Sequence, residues 1–156
     1  MKGQIWSADL TLSAFVFITI AVAFLSAFGY MLISAQDNTE LRDMERISLS
    51  VSDALIRIPG IPEDWNRSNV QFPGLADREN IINETKLERF SSMDYSTLKV
   101  LMGLDKYEFH FRLSDVNGTV YAENGMEPEN AIASMPVNRY VLYSGRLARL
   151  RFVVWK

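Results

Sequence analysis

The chain is 156 residues long, enough for one domain with an appendage and short of two full domains. Apolar residues make up 48% and charged residues 22%, so a core can form, and the formal net charge of −3 argues against a nucleic-acid partner, which selects a basic surplus. With no cysteine and a single histidine, disulfides, thiolate metal sites and cysteine catalysis are excluded and histidine-based constellations nearly so. A structural, anchoring or binding protein is therefore expected rather than an enzyme, with no catalytic residue, no metal and no cofactor.

From Leu10 to Gln36 there are 27 positions without a charge. As a helix they extend about 40 Å, which covers a bilayer core of about 30 Å. Thirteen of them are Leu, Ile, Val or Phe. At roughly −0.5 kcal/mol each, these favour the membrane by about −6 kcal/mol before polar costs. Thr11, Ser13, Thr19, Ser26 and Ser34 can bond back to helix carbonyls and so cost little. Two other readings of the run are a core helix of a soluble protein and a removable secretory signal cut near Ala27-Phe28-Gly29 or Ser34-Ala35. The run is nearly twice as long as a signal's usual apolar region of about 7–15 residues. Lys2 precedes the span, and Asp37, Glu40 and Asp43 follow it, so residues 37–156 are expected outside and the start inside. Three glycosylation acceptor triplets in the outer segment agree with that orientation: Asn66-Arg67-Ser68, Asn83-Glu84-Thr85 and Asn117-Gly118-Thr119.

The first residues are Met1-Lys2-Gly3-Gln4, then Ile5-Trp6-Ser7-Ala8-Asp9 and the apolar run. This arrangement resembles the class III signal of archaeal type IV pilin-like proteins, among them minor pilins and pseudopilins. The resemblance implies a prepilin-type peptidase that cuts between Gly3 and Gln4, leaving the apolar helix on the mature chain. Gly3 would give the extended backbone that a protease needs. The resemblance also implies that the helix first lies in the bilayer and then packs among copies of itself, with Phe15, Phe17, Phe24 and Phe28 in the assembly surface. The family places an acid at the fifth mature position, where it neutralises a neighbouring amino terminus. Here that position is Ala8 and the acid is Asp9, one residue or about 100° of helix rotation away. The departure fits a minor subunit, or an anchored relative that does not polymerise.

Beyond the span, Leu41, Met44, Ile47, Val51, Leu55 and Ile58 recur at spacings of three and four, predicting an amphipathic helix over 37–58 that continues the span. One helix from about Ser7 to Ile58 would be about 75 Å long at roughly 1.5 Å per residue. Pro59-Gly60 ends it. Residues 59–74 read as irregular, with Trp65 and Phe72 capping the core edge or, if exposed, forming a binding patch. Short helices follow over 83–91 and 94–102, with Asp94 as N-cap and Gly103 as stop. Tyr107, Phe109, Phe111 and Leu113 alternate with polar residues, predicting a strand. A turn at Asp115–Gly118 leads to a second strand over 119–123, and 124–136 reads as a loop. Residues 139–143 and 146–155 form a hairpin about Ser144-Gly145. The stretches 60–66, 72–76, 95–99 and 139–155 resemble segments of archaeal secreted or pilin-like proteins, a likeness that brings no activity.

The expected fold is thus α+β and pilin-like: a leader over 1–3, a transmembrane and assembly helix over 4–36, and an extracellular α+β domain over 37–156. In that domain the amphipathic helix packs on a small antiparallel sheet of about four strands. No Walker, G-x-S-x-G or H-E-x-x-H pattern occurs. His110 falls on the polar face of a strand, as a solvated or satisfied histidine. Glu123, Glu127 and Glu129 cluster without the regular spacing of a calcium loop. Arg146, Arg149, Arg151 and Lys156 make the last hairpin basic, either as a solvated strand face or as a patch for acidic glycans or a partner subunit. The expected partners are the membrane, the peptidase, and other pilin-like subunits or their assembly machinery. The alternative expectation is an uncleaved single-span anchor that presents an extracellular binding domain, as a stator or adhesin does.

Overall fold

The computed structural model describes residues 3–156, with side chains described for 9–31 and 39–156. The chain divides into two compact units, Met1–Glu40 and Leu41–Lys156. Helix α1 (Gly3–Arg57) contributes to both.

In the first unit, Asp9–Met31 is long and apolar enough to cross a membrane, and none of it is buried within the protein. Two of its hydroxyls bond back into the helix: Thr19 Oγ1 donates to the Phe15 carbonyl and Ser26 Oγ to that of Val22, each at 2.8 Å. Those two groups need no water.

The second unit is α+β. After α1 come β1 (Ala76–Arg78), β2 (Ile81–Ile82), α2 (Glu84–Ser91), α3 (Tyr95–Leu101), β3 (Glu108–Asp115), β4 (Val120–Gly125), β5 (Ser134–Tyr143) and β6 (Arg146–Trp155). They build one six-stranded sheet in the order β1-β2-β5-β6-β3-β4. Two expectations are corrected here. The sheet has six strands rather than about four, and it is mixed, because β2 runs parallel to β5. The additional strands are three and two residues long, too short to show a period of two. The expected 124–136 loop also shrinks, because β4 reaches Gly125 and β5 starts at Ser134. Pro136 is tolerated in β5 because no strand pairs with that edge; β2 reaches only Leu142 and Tyr143.

Local chemistry explains the other boundaries. The Asn83 side chain caps α2 by accepting from Lys86 N, and Asp94 caps α3 by accepting from Thr97 N. Gly103 ends α3 at φ +68°. Ser144 and Gly145, at φ +49° and +73°, form the two-residue turn that matches the twist of the β5–β6 hairpin.

The core lies between the helices and one face of the sheet. Phe109, Phe111 and Leu113 of β3 and Leu150, Phe152 and Val154 of β6 are buried against Met44, Val51 and Leu55 of α1, Leu87 and Phe90 of α2, and Leu98 of α3. Ring pairs tie the layers together, with Phe90–Phe111 centroids at 4.8 Å and Tyr95–Phe109 at 5.0 Å. Tyr121 of β4 meets Tyr143 of β5 at 5.0 Å although two strands lie between them, so the sheet curls. The expected helix stripe is modified: Leu41 is exposed, while Ser48 and Ser52 are fully buried beside Met44, Val51 and Leu55. Trp65 is wholly buried, so it is a core residue rather than part of a surface patch. Its indole donates to the Gly74 carbonyl at 2.8 Å. Phe72 is half-buried against the core.

Candidate functional site

The apolar surface of the first unit is the first candidate. Leu10, Phe15, Phe17 and Phe24 are each about two-thirds exposed or more. Phe24 and Phe28 stack one turn apart at 6.3 Å. A soluble protein rarely leaves so continuous an apolar face uncovered. Such a surface can partition into lipid or pack on like helices, and it performs no bond chemistry. Asp9 lies at the start of the span and is exposed. Lys2 lies outside the described residues. Gly3 and Gln4 begin α1, so the bond between them sits in a helical turn and not in the extended backbone expected. The first turn of a helix has unpaired N–H groups and unwinds at low cost.

The second candidate is a polar cluster on the outer face of β3 and β4. His110 Nε2 lies 2.7 Å from Glu123 Oε1, and Arg112 reaches Glu123 at 2.6 Å and Glu127 at 2.7 Å. Pairing across β3–β4 sets Arg112 opposite Glu123. His110 is 4% exposed, so it is satisfied and not solvated. The loop over 126–133 folds back at this end, with the Trp155 indole donating to the Met126 carbonyl at 3.0 Å. Burial pushes the Glu123 carboxyl up, but hydrogen bonds from Arg112 and His110 outweigh it and hold the group below its ordinary value. The ligand atoms of His110, Glu123 and Glu127 lie within 4.8 Å of one another. Arg112 already pairs with both carboxylates and competes with any cation for them, so the set is best described as a cross-strand ion-pair lock. Glu129 is exposed and does not join it.

The basic residues of the last hairpin are exposed. Arg149 sits opposite Ser114 and Tyr140, and Arg151 opposite Arg112 and Asn138, whereas Arg146 flanks the turn and Lys156 follows the strand. The three acceptor asparagines are in different settings. Asn66 is exposed in a loop, Asn117 is exposed in the β3–β4 turn, and Asn83 is the half-buried cap of α2. No family model, curated protein or solved structure matches this chain.

The burial of His110 could be read only from three dimensions, because alternation sets it on the polar face of β3. The pairing of Arg112 with Glu123 did have a sequence signal. Both alternate onto the polar face of two strands joined by a tight turn.

Proposed function

We propose that this protein is a pilin-like, membrane-anchored structural subunit of an archaeal surface filament or secretion system. A prepilin-type peptidase cuts it after Gly3. The observation that carries the reading is the Asp9–Met31 helix, apolar and uncovered, directly behind Lys2-Gly3-Gln4. The mechanism is assembly rather than catalysis. The bilayer stores the subunit through about −6 kcal/mol of apolar transfer. Assembly then exchanges lipid for equivalent helices, with Phe15, Phe17, Phe24 and Phe28 packing between copies. The cut exposes the Gln4 amine, and Asp9 of a neighbouring copy offers it a counter-charge. The α+β unit stays outside and presents its polar sheet face.

One feature favours a second reading, an uncleaved anchor with an outer binding domain: Asp9 stands one position beyond the family's acidic site. Shearing filaments from cells tests the choice. The subunit reading expects the chain in the sheared fraction. A chain found only as a detergent-solubilised monomer overturns that reading and favours the anchor.

A further inference from the structure

We infer that Asn66 is the principal N-glycan acceptor of the outer domain and that Asn83 is not an acceptor in the folded protein; the inference rests on the reading that places residues 37–156 outside the cell. The three acceptor triplets are equivalent as sequence but not as structure. At Asn66, the side-chain Oδ1 accepts from Ser68 N at 2.8 Å and from Ser68 Oγ at 2.6 Å. The hydroxyl that defines the triplet is thus already on the amide it must assist. Two donors on Oδ1 stabilise the imidate form of the amide, the form in which Nδ2 is nucleophilic. Asn66 also opens onto a polar cleft of about 480 Å³, lined by Arg67, Ser68, Glu88, Arg89 and Ser92. That lining offers donors and acceptors to the hydroxyls of a first sugar.

At Asn83 the same oxygen is occupied elsewhere. It accepts from Lys86 N as the cap of α2, and Thr85 lies in the first helical turn. Bringing the Thr85 hydroxyl to the Asn83 amide requires that turn to unwind. Losing the cap also leaves the first N–H groups of α2 without their partner. Asn117 is intermediate. It is exposed, but Asp115 accepts from Asn117 N and from Thr119 N, each at 2.8 Å, which fixes the backbone of the triplet in the turn.

The transfer needs a lipid-linked oligosaccharyl phosphate or pyrophosphate as co-reactant. Nδ2 of Asn66 attacks the anomeric carbon of the first sugar. The new C–N bond forms as the C–O bond to phosphate breaks, and the lipid phosphate leaves with that electron pair. One amide proton passes to a base on the transferase. No oxidation or reduction occurs.

Peptide mass mapping of the native protein, purified from its own cells, tests this site by site. The expected result is highest occupancy on the Asn66 peptide, lower occupancy on Asn117 and none on Asn83. Asn66→Gln should remove most of the added mass, whereas Asn83→Asp, which keeps a capping oxygen, should leave it unchanged. A glycan on Asn83, an unmodified Asn66, or Asn117 occupied as fully as Asn66 overturns the inference. A parallel Ile132→Cys variant, at a position 90% exposed in a chain without cysteine, reports the side of the membrane through a thiol reagent that cannot cross it. Labelling of intact cells with no glycan on Asn66 refutes the acceptor assignment alone; absence of both refutes the outside placement beneath it.

Discussion

Ser48 of α1 donates its hydroxyl to the Met135 carbonyl of β5 at 2.9 Å, and Ser48 is fully shielded from solvent. The bond ties α1 to β5 at Met135, which is half-buried against the core and paired with Val154 of β6. The small side chain permits close approach, and its buried hydroxyl is satisfied by this carbonyl. Ser48→Ala should therefore cost about 1–2 kcal/mol. Urea unfolding of the full chain in detergent measures it, and Ser50→Ala, at an exposed position of the same helix, should stay within about 0.5 kcal/mol of the parent.

Gly60 and Gly74 form a backbone crossing beneath Trp65. Gly60 has φ +101°, and a Cβ there would overlap the Trp65 ring while standing 3.0 Å from Gly74 N. Gly60→Ala should destabilise the outer unit by roughly 3 kcal/mol or more through strain and overpacking. Near-ultraviolet circular dichroism should report loss of the fixed Trp65 environment. An unchanged signal and midpoint would show that the crossing yields freely.

Much of this unit was legible from residue pattern. The β6 boundaries, the cap at Asp94 and the Ser144-Gly145 turn all follow from local chemistry that acts over four residues or fewer. What was hidden depends on partners distant in sequence. Ile81 and Ile82 become a strand only because Leu142 and Tyr143 lie beside them. Pro136 reads as a breaker, yet it sits in β5 where no donor is needed on that edge. Ser48 and Ser52 lie outside the apolar stripe read from α1, yet they are fully buried beside it. In the first unit, composition alone located the long apolar helix, since length and apolarity are properties of sequence and require no fold.

Acid should weaken the second unit through Glu108. Hydrogen bonds from Tyr95 first, and from Lys99 second at 2.9 Å, hold this carboxyl below its ordinary value of 4.5. A carboxyl lowered on folding contributes stability fully above its unfolded value and loses it as pH falls through the folded one. Glu123 is displaced in the same direction. The unfolding midpoint should drop as pH falls from about 6 to about 3, and Glu108→Gln should flatten that slope. Identical slopes in parent and variant would contradict the assignment.

Membrane retention should fail when charge enters the span. Phe17 and Val22 are both exposed on the apolar helix. An arginine near the centre of a span costs about 3 kcal/mol, so Phe17→Arg with Val22→Arg offsets most of the apolar gain. Alkaline extraction of membranes should release the double variant and retain the parent. Ile132→Arg, in the outer unit, should be retained like the parent.

In the proposed function, a cut behind Gly3 makes a membrane helix available for assembly. Intact mass of the native protein, with glycans removed, measures this in one step. The expected mature chain begins at Gln4 and still carries the helix through Met31 to Lys156. A native chain that begins at Met1, or one that has lost Leu10–Gln36 altogether, would contradict it.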